Sequence, residues 1–127
     1  MSVPQRALVL FAHGARDPRW AEPFQKLQER VQAARPDAVV ATAFLELMSP
    51  SLPELAADLA NKGCMDVTIV PVFFGQGGHI RRDLPLLVDR LRADHPQVRF
   101  HVTGAVGEDA AVLDALARYC ADALGRA

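Results

Sequence analysis

The sequence predicts an α/β domain: a four-stranded parallel sheet in the order 2-1-3-4 with helices on both faces. Three observations predict it. Four apolar, strand-like runs alternate with four stretches whose apolar residues recur at helical spacing. The run at 7–12 (ALVLFA) and the one at 67–74 (VTIVPVFF) are almost continuously apolar, the pattern of strands covered on both faces. Repeated β-α units also require right-handed crossovers, which lay successive strands parallel. The 127 residues, half of them hydrophobic, suit one domain over 1–127 with a core that needs no covalent staple.

The first strand ends in His13-Gly14-Ala15-Arg16-Asp17-Pro18. Trp20, Phe24, Leu27, Val31 and Ala34 then mark one face of a helix that stops before Pro36. Residues 39–45 (VVATAFL) form the second strand, with Glu46 just beyond it. The second helix turns Leu52, Leu55, Ala56 and Leu59 inward, tolerates Pro53 in its first turn and ends at Asn61-Lys62-Gly63. The third strand, 67–74, runs into Gly75-Gln76-Gly77-Gly78, and His79 opens the third helix. Ile80, Leu84, Leu87, Val88 and Leu91 share its inner face. Pro85 implies either a bend or a separate first turn capped afresh by Asp83. Val98, Phe100 and Val102 alternate with Arg99 and His101 as a half-exposed edge strand. A loop at 103–107 leads to Asp109, expected to cap a last helix with the stripe Val112, Leu113, Leu116, Tyr119, Cys120, Ala123 and Leu124.

Several functions are disfavoured. A net charge of −1, with Lys and Arg scattered, gives no footprint for nucleic acid and no polybasic membrane tether. No apolar run is long enough to span a bilayer, and Met1 leads directly into a strand, so a cytoplasmic protein is expected. Cys64 and Cys120 form no CxxC pair and read as two reduced thiols. GQGGH lacks the lysine and hydroxyl of a P-loop, and neither GxGxxG nor GxSxG occurs.

The order 2-1-3-4 places the topological switch between strands 1 and 3, where open α/β sheets bind ligands beyond the strands' carboxyl ends. Those two strands deliver His13 and His79, and Glu46 lines the neighbouring rim. A single histidine in such a loop is ordinarily a hydrogen-bonded loop residue; their joint placement at the switch is what favours function. Two imidazoles with open positions suit cobalt, iron, nickel or zinc and hold it exchangeably. Glu46 is placed to neutralise the ion or accept protons. Arg16, Arg81, Arg82 and the helix N-terminal amides after Gly77 and Gly78 offer docking points for carboxylates. One of Arg81 and Arg82 is expected to be a solvated helix residue. His95 and His101 fall outside the site.

In its HGARDP loop, its FLELMSPSLPE segment and its VPVFFGQGGHIRRDLP segment, with a looser match at TGAVGED, the chain resembles the small sirohydrochlorin chelatase family, the short CbiX-type chelatases. The resemblance covers nearly the whole chain. It implies a chelatase half-lobe that inserts a divalent metal, cobalt foremost, into the tetrapyrrole sirohydrochlorin for cobalamin or siroheme, without ATP. Fe2+ or Ni2+ in place of Co2+ is the first alternative, and a non-catalytic metal or tetrapyrrole carrier the second. No cofactor is implied beyond the metal substrate. His13 and His79 match metal-binding and catalytic histidines, Glu46 matches a catalytic acidic position, and Arg16, Gly77, Gly78 and Arg81 fall on the substrate side. The resemblance also implies a homodimer. Two departures stand out: Ala15 where the family commonly has serine, and Gly75-Gln76 in place of an apolar pair.

Overall fold

The computed structural model describes residues 6–126. Four strands, β1 (Arg6–Ala12), β2 (Val39–Phe44), β3 (Asp66–Pro71) and β4 (Arg99–Val102), pair in parallel in the order β2-β1-β3-β4, as the sequence predicts. Helices α1 (Glu22–Ala34), α2 (Leu52–Asn61), α3 (Gly78–Asp94) and α4 (Ala110–Arg126) follow the strands one by one.

One face of the sheet carries the main core. Val9, Phe11, Ala43, Val67, Ile69 and Phe100 project from the strands onto Leu52, Leu55 and Leu59 of α2 and Leu84, Val88 and Leu91 of α3. Burial of Cys64 in the same cluster pushes its thiol pKa up, as expected of a packed thiol. On the other face α1 covers β1 and β2, where Trp20 and Phe24 pack with ring centroids 4.6 Å apart and planes tilted by 41°, against Ala12 and Phe44.

That second face is roofed only in part. β3 buries alternate residues: Val67, Ile69 and Pro71 are inside, whereas Thr68 and Val70 are half-buried. The expectation of a third strand covered on both faces therefore holds on one. The reason is α4, which packs against the short 3-10 turn at Val106–Glu108 and leaves its other described side chains, Val112 apart, exposed. Its start is as expected, the Ala111 and Val112 amides donating to Asp109 Oδ2 at 3.1 and 3.2 Å.

Three boundaries differ from expectation. Trp20 belongs to a 3-10 turn, Pro18–Ala21, capped by Asp17 ahead of α1. β3 stops at Pro71, the last residue paired with β1, opposite Phe11: Val72 N still donates to Phe11 O at 2.8 Å, and the ladder with β1 goes no further. α3 starts at Gly78 and passes unbroken through Pro85, with no fresh cap at Asp83. Pro85 and Arg81, whose carbonyl loses its helical donor there, both face solvent, so water can satisfy the orphaned oxygen.

Candidate functional site

The loops after β1, β2, β3 and β4 all emerge at one edge of the sheet, and backbone contacts fix the first two to each other. Past the end of the ladder, Leu45 N donates to Ala12 O at 2.9 Å and Glu46 N to His13 O at 3.1 Å. Gly14, at φ +100, makes this approach possible: a Cβ built on it would stand 1.8 Å from the Glu46 carbonyl oxygen. The loop bearing Glu46 is closed at its far end by Phe44 N donating to Pro50 O at 2.9 Å. The outcome is a contact between residues 33 positions apart, His13 Nε2 to Glu46 Oε1 at 3.2 Å, with both side chains about half exposed.

Phe73 buttresses this pair from the β3 loop, edge-on to Phe11 at 5.8 Å and to His13 at 6.4 Å between centroids. His79, in the first turn of α3, lines an apolar pocket of about 130 Å³ with Phe11, Leu45, Ile80 and Leu84. It thus shares a wall with the residue preceding Glu46 and with the strand that delivers His13. Among the described residues no three of His, Cys, Asp and Glu converge tightly enough to cage an ion. His13 and Glu46 touch, and His79 is their neighbour on the same edge.

The arginines differ in how firmly they are held. Arg81 Nε donates to Gln76 O at 3.2 Å while its Nη2 lies 3.8 Å from Glu108 Oε2, so it ties the glycine loop to the loop after β4. Arg16 and Arg82 are exposed, and neither forms an ion pair among the described residues. Arg19, not singled out in the sequence, grips Asp17 at 2.7 Å; that hydrogen bond holds the Asp17 carboxyl below the usual carboxylate range. Gly77 precedes the first turn of α3 in extended conformation, and the first amides of that turn have no intrahelical acceptor.

Sequence reasoning missed Phe73, Phe74 and Glu108. Phe73 and Phe74 read as the end of a strand, yet Phe74 projects into solvent at the rim. Its carbonyl lies where Gly107 passes: a Cβ on Gly107 would stand 1.9 Å away, and Gly107 N donates to Phe73 O at 2.9 Å. The second glycine of TGAVG, Gly107, was the available signal for that close approach.

Three comparisons place this geometry among known proteins. The crystal structure of a cobalamin (vitamin B12) biosynthesis CbiX protein from Marinobacter aquaeolei VT8 superposes with a TM-score of 0.85 at 32% identity, over 96% of this chain and 99% of that one. The sirohydrochlorin chelatase SirB from Bacillus subtilis subspecies spizizenii, solved in complex with cobalt, shares the fold at TM-score 0.79 and 22% identity, over 93% of this chain but 50% of its own. The sirohydrochlorin cobaltochelatase of Methanocaldococcus jannaschii is 33% identical over 89 residues, 70% of this chain; the match spans 62% of that relative's length. With the sequence model of the CbiX family matching residues 7–123, and the histidine-bearing loops where the fold requires them, the chain belongs to the CbiX family.

Proposed function

We propose that this protein is a sirohydrochlorin chelatase that inserts a divalent metal, cobalt foremost, into the macrocycle without ATP, acting in the cytoplasm as a homodimer. The observation that carries the reading is the His13–Glu46 contact beside the β1–β3 switch of the sheet, with His79 on the same edge and all three residues exposed. Family membership and the names of its relatives support the substrate and the metal.

In this reading the metal is a substrate, met by His13 and His79. With the hydrogen of the His13 ring on Nε2, donated to Glu46 Oε1, Nδ1 presents its lone pair to the ion. Metallation replaces two pyrrole protons with the ion. Once the metal has left, Nδ1 takes one proton while Nε2–H passes to Glu46, and water takes the other. Arg16 and the amides following Gly77 and Gly78 face the macrocycle's carboxylates, Phe74 offers a ring face, and Arg81 keeps the glycine loop in place while lending positive charge.

The test combines purified protein, sirohydrochlorin and Co2+, then Fe2+ or Ni2+, without nucleotide, and follows the absorbance of the metallated ring. Acceleration over the spontaneous rate is expected, with His13→Ala and His79→Ala each lowering it about 100-fold, the low end of the usual proton-transfer contribution. Binding without acceleration would instead identify a carrier.

A further inference from the structure

Gly107 touches neither histidine, yet it holds the segment that supports one and leads to the other. It is buried in the short turn after β4, where its amide donates to the Phe73 carbonyl at 2.9 Å. The fit admits no side chain: a Cβ on Gly107 would stand 1.9 Å from the Phe74 carbonyl oxygen and 2.4 Å from the Phe74 Cα. Its φ lies outside the left-handed region, so the approach to Phe74 is what demands glycine here. These are main-chain atoms, and no change of rotamer makes room. Phe73 hangs half-buried from the peptide so held, its ring centroid 6.4 Å from that of His13 and the two planes 73° apart. The same segment runs on through 75–77 into α3, where His79 stands in the first turn.

We propose that Gly107 is a positioning residue for metal insertion: by gripping the Phe73 peptide it sets the Phe73 ring against His13, which keeps Nε2 toward Glu46 and Nδ1 toward the ion. The inference rests on the chelatase reading above and adds the residue that aims its first histidine. Glu46 alone does not aim it. A histidine has about six staggered conformers, and a half-exposed contact with a carboxylate favours one of them over each other by about 5-fold at most. That conformer is then held about half the time. An edge-to-face aromatic neighbour contributes a further factor of about 2 to 12, which raises the share to roughly 65–90%. An alanine at 107 would have to open the contact from 1.9 Å to at least 3.0 Å, drawing the Phe73 peptide from its donor. A misplacement of about 1 Å, remote from the chemistry, costs on the order of 100-fold in rate.

The experiment has two arms on the full chain and on Gly107→Ala, Phe73→Leu and Gly104→Ala. The first reads the Hα–Hβ scalar couplings of His13 without metal or macrocycle, which separate one held χ1 rotamer from an average over the staggered wells. The second measures kcat and KM for Co2+ insertion into sirohydrochlorin. Gly104, in the same loop with nothing within 4 Å of a built Cβ, is the control and should match wild type in both arms. Gly107→Ala should keep its circular dichroism, show averaged couplings and lose at least 10-fold in kcat. Phe73→Leu should show averaged couplings and a smaller loss of kcat at unchanged KM, since the Phe74 rim stays in place; it decides the matter if Gly107→Ala fails to fold. Unchanged couplings, unchanged kcat despite averaged couplings, or a Gly104→Ala as impaired as Gly107→Ala overturns the inference. Wild-type couplings that are already averaged overturn it whatever the rate. A wild type with held couplings that does not accelerate insertion overturns the chelatase reading and leaves the hold on His13 standing.

Discussion

Gly14→Ala is the perturbation that probes the site through its backbone alone, because it removes no side chain. Gly14 stands at φ +100, a conformation that costs an alanine about 1–2 kcal/mol. Its new methyl would also stand 1.8 Å from the Glu46 carbonyl oxygen, roughly half of an ordinary contact distance. The His13 and Glu46 loops must therefore separate, straining or breaking the Glu46 N–His13 O and Leu45 N–Ala12 O bonds, each worth about 1 kcal/mol. The total is about 3–4 kcal/mol, a fall in Tm of about 11–15 °C for a domain of this size.

Gly63→Ala is the matched control. Gly63 has φ +87, but nothing lies within 4 Å of its would-be Cβ, so the conformational cost of about 1 kcal/mol stands alone. Urea and thermal denaturation of the two variants isolate the collision as the difference between them, about 2–3 kcal/mol. Metal insertion then reads out the geometry: Gly14→Ala should be slowed in proportion to the lost His13–Glu46 contact, whereas Gly63→Ala should match wild type. Equal stability losses in the two variants, or full activity in Gly14→Ala, would refute the claim that this glycine sets the distance between the two loops.

Two further predictions concern the frame. Ser51→Ala removes a reciprocal cap in which Glu54 N donates to Ser51 Oγ at 3.3 Å and Ser51 N to Glu54 Oε1 at 3.0 Å; chemical denaturation should show a loss of about 1 kcal/mol, and no loss would mean the capping box is idle. The carboxyl of Asp37, hydrogen-bonded by Arg35 at 2.7 Å, is held at about 2 rather than 3.8. A carboxyl depressed on folding adds stability that is fully present above pH 3.8 and lost as pH falls through about 2. Carbon-13 titration should place the native midpoint near 2 and move it upward in Arg35→Gln; a native midpoint at 3.8 would show that the pair does not persist in solution.

What the sequence made legible was whatever repeats locally or follows from strand order. Alternating apolar runs and amphipathic stretches gave the four β-α pairs. Order 2-1-3-4 in turn brought the ends of the histidine-bearing strands to one edge, although residues 13 and 79 are far apart in the chain. Contacts decided by packing between distant loops were not legible. Nothing near Arg81 announces Glu108, and the exposed Phe74 looks like strand until the β1–β3 ladder is seen to end at Phe11 and Pro71. α4 carries a clean stripe, but periodicity states only that a helix has an apolar face, not which surface covers it. Pro85 left two readings open, a bend or a separate first turn; the helix has no fresh cap at Asp83 and continues through Pro85, where the freed carbonyl belongs to the exposed Arg81.

The site divides its rigidity unevenly, and the division suits the metal transfer proposed above. The backbones of the His13 and Glu46 loops are locked by two hydrogen bonds and by a glycine approach that admits no side chain. The side chains those backbones carry are about half exposed, so their mutual contact is worth at most about 1 kcal/mol in water. A buried pair would resist separation by several kcal/mol and keep the ring nitrogen committed to the carboxylate. Here the pair is loose enough for the ring to adjust as Nδ1 takes up and releases the proposed ion, with Nε2 kept on the Glu46 side and the fold undisturbed. With His79 on α3, and no group of three His, Cys, Asp or Glu converging among the described residues, the proposed ion would lack the full protein coordination that retains structural metals. In the proposed chelatase, stiffness in the main chain sets where exchange happens, and weak side-chain contacts keep it reversible.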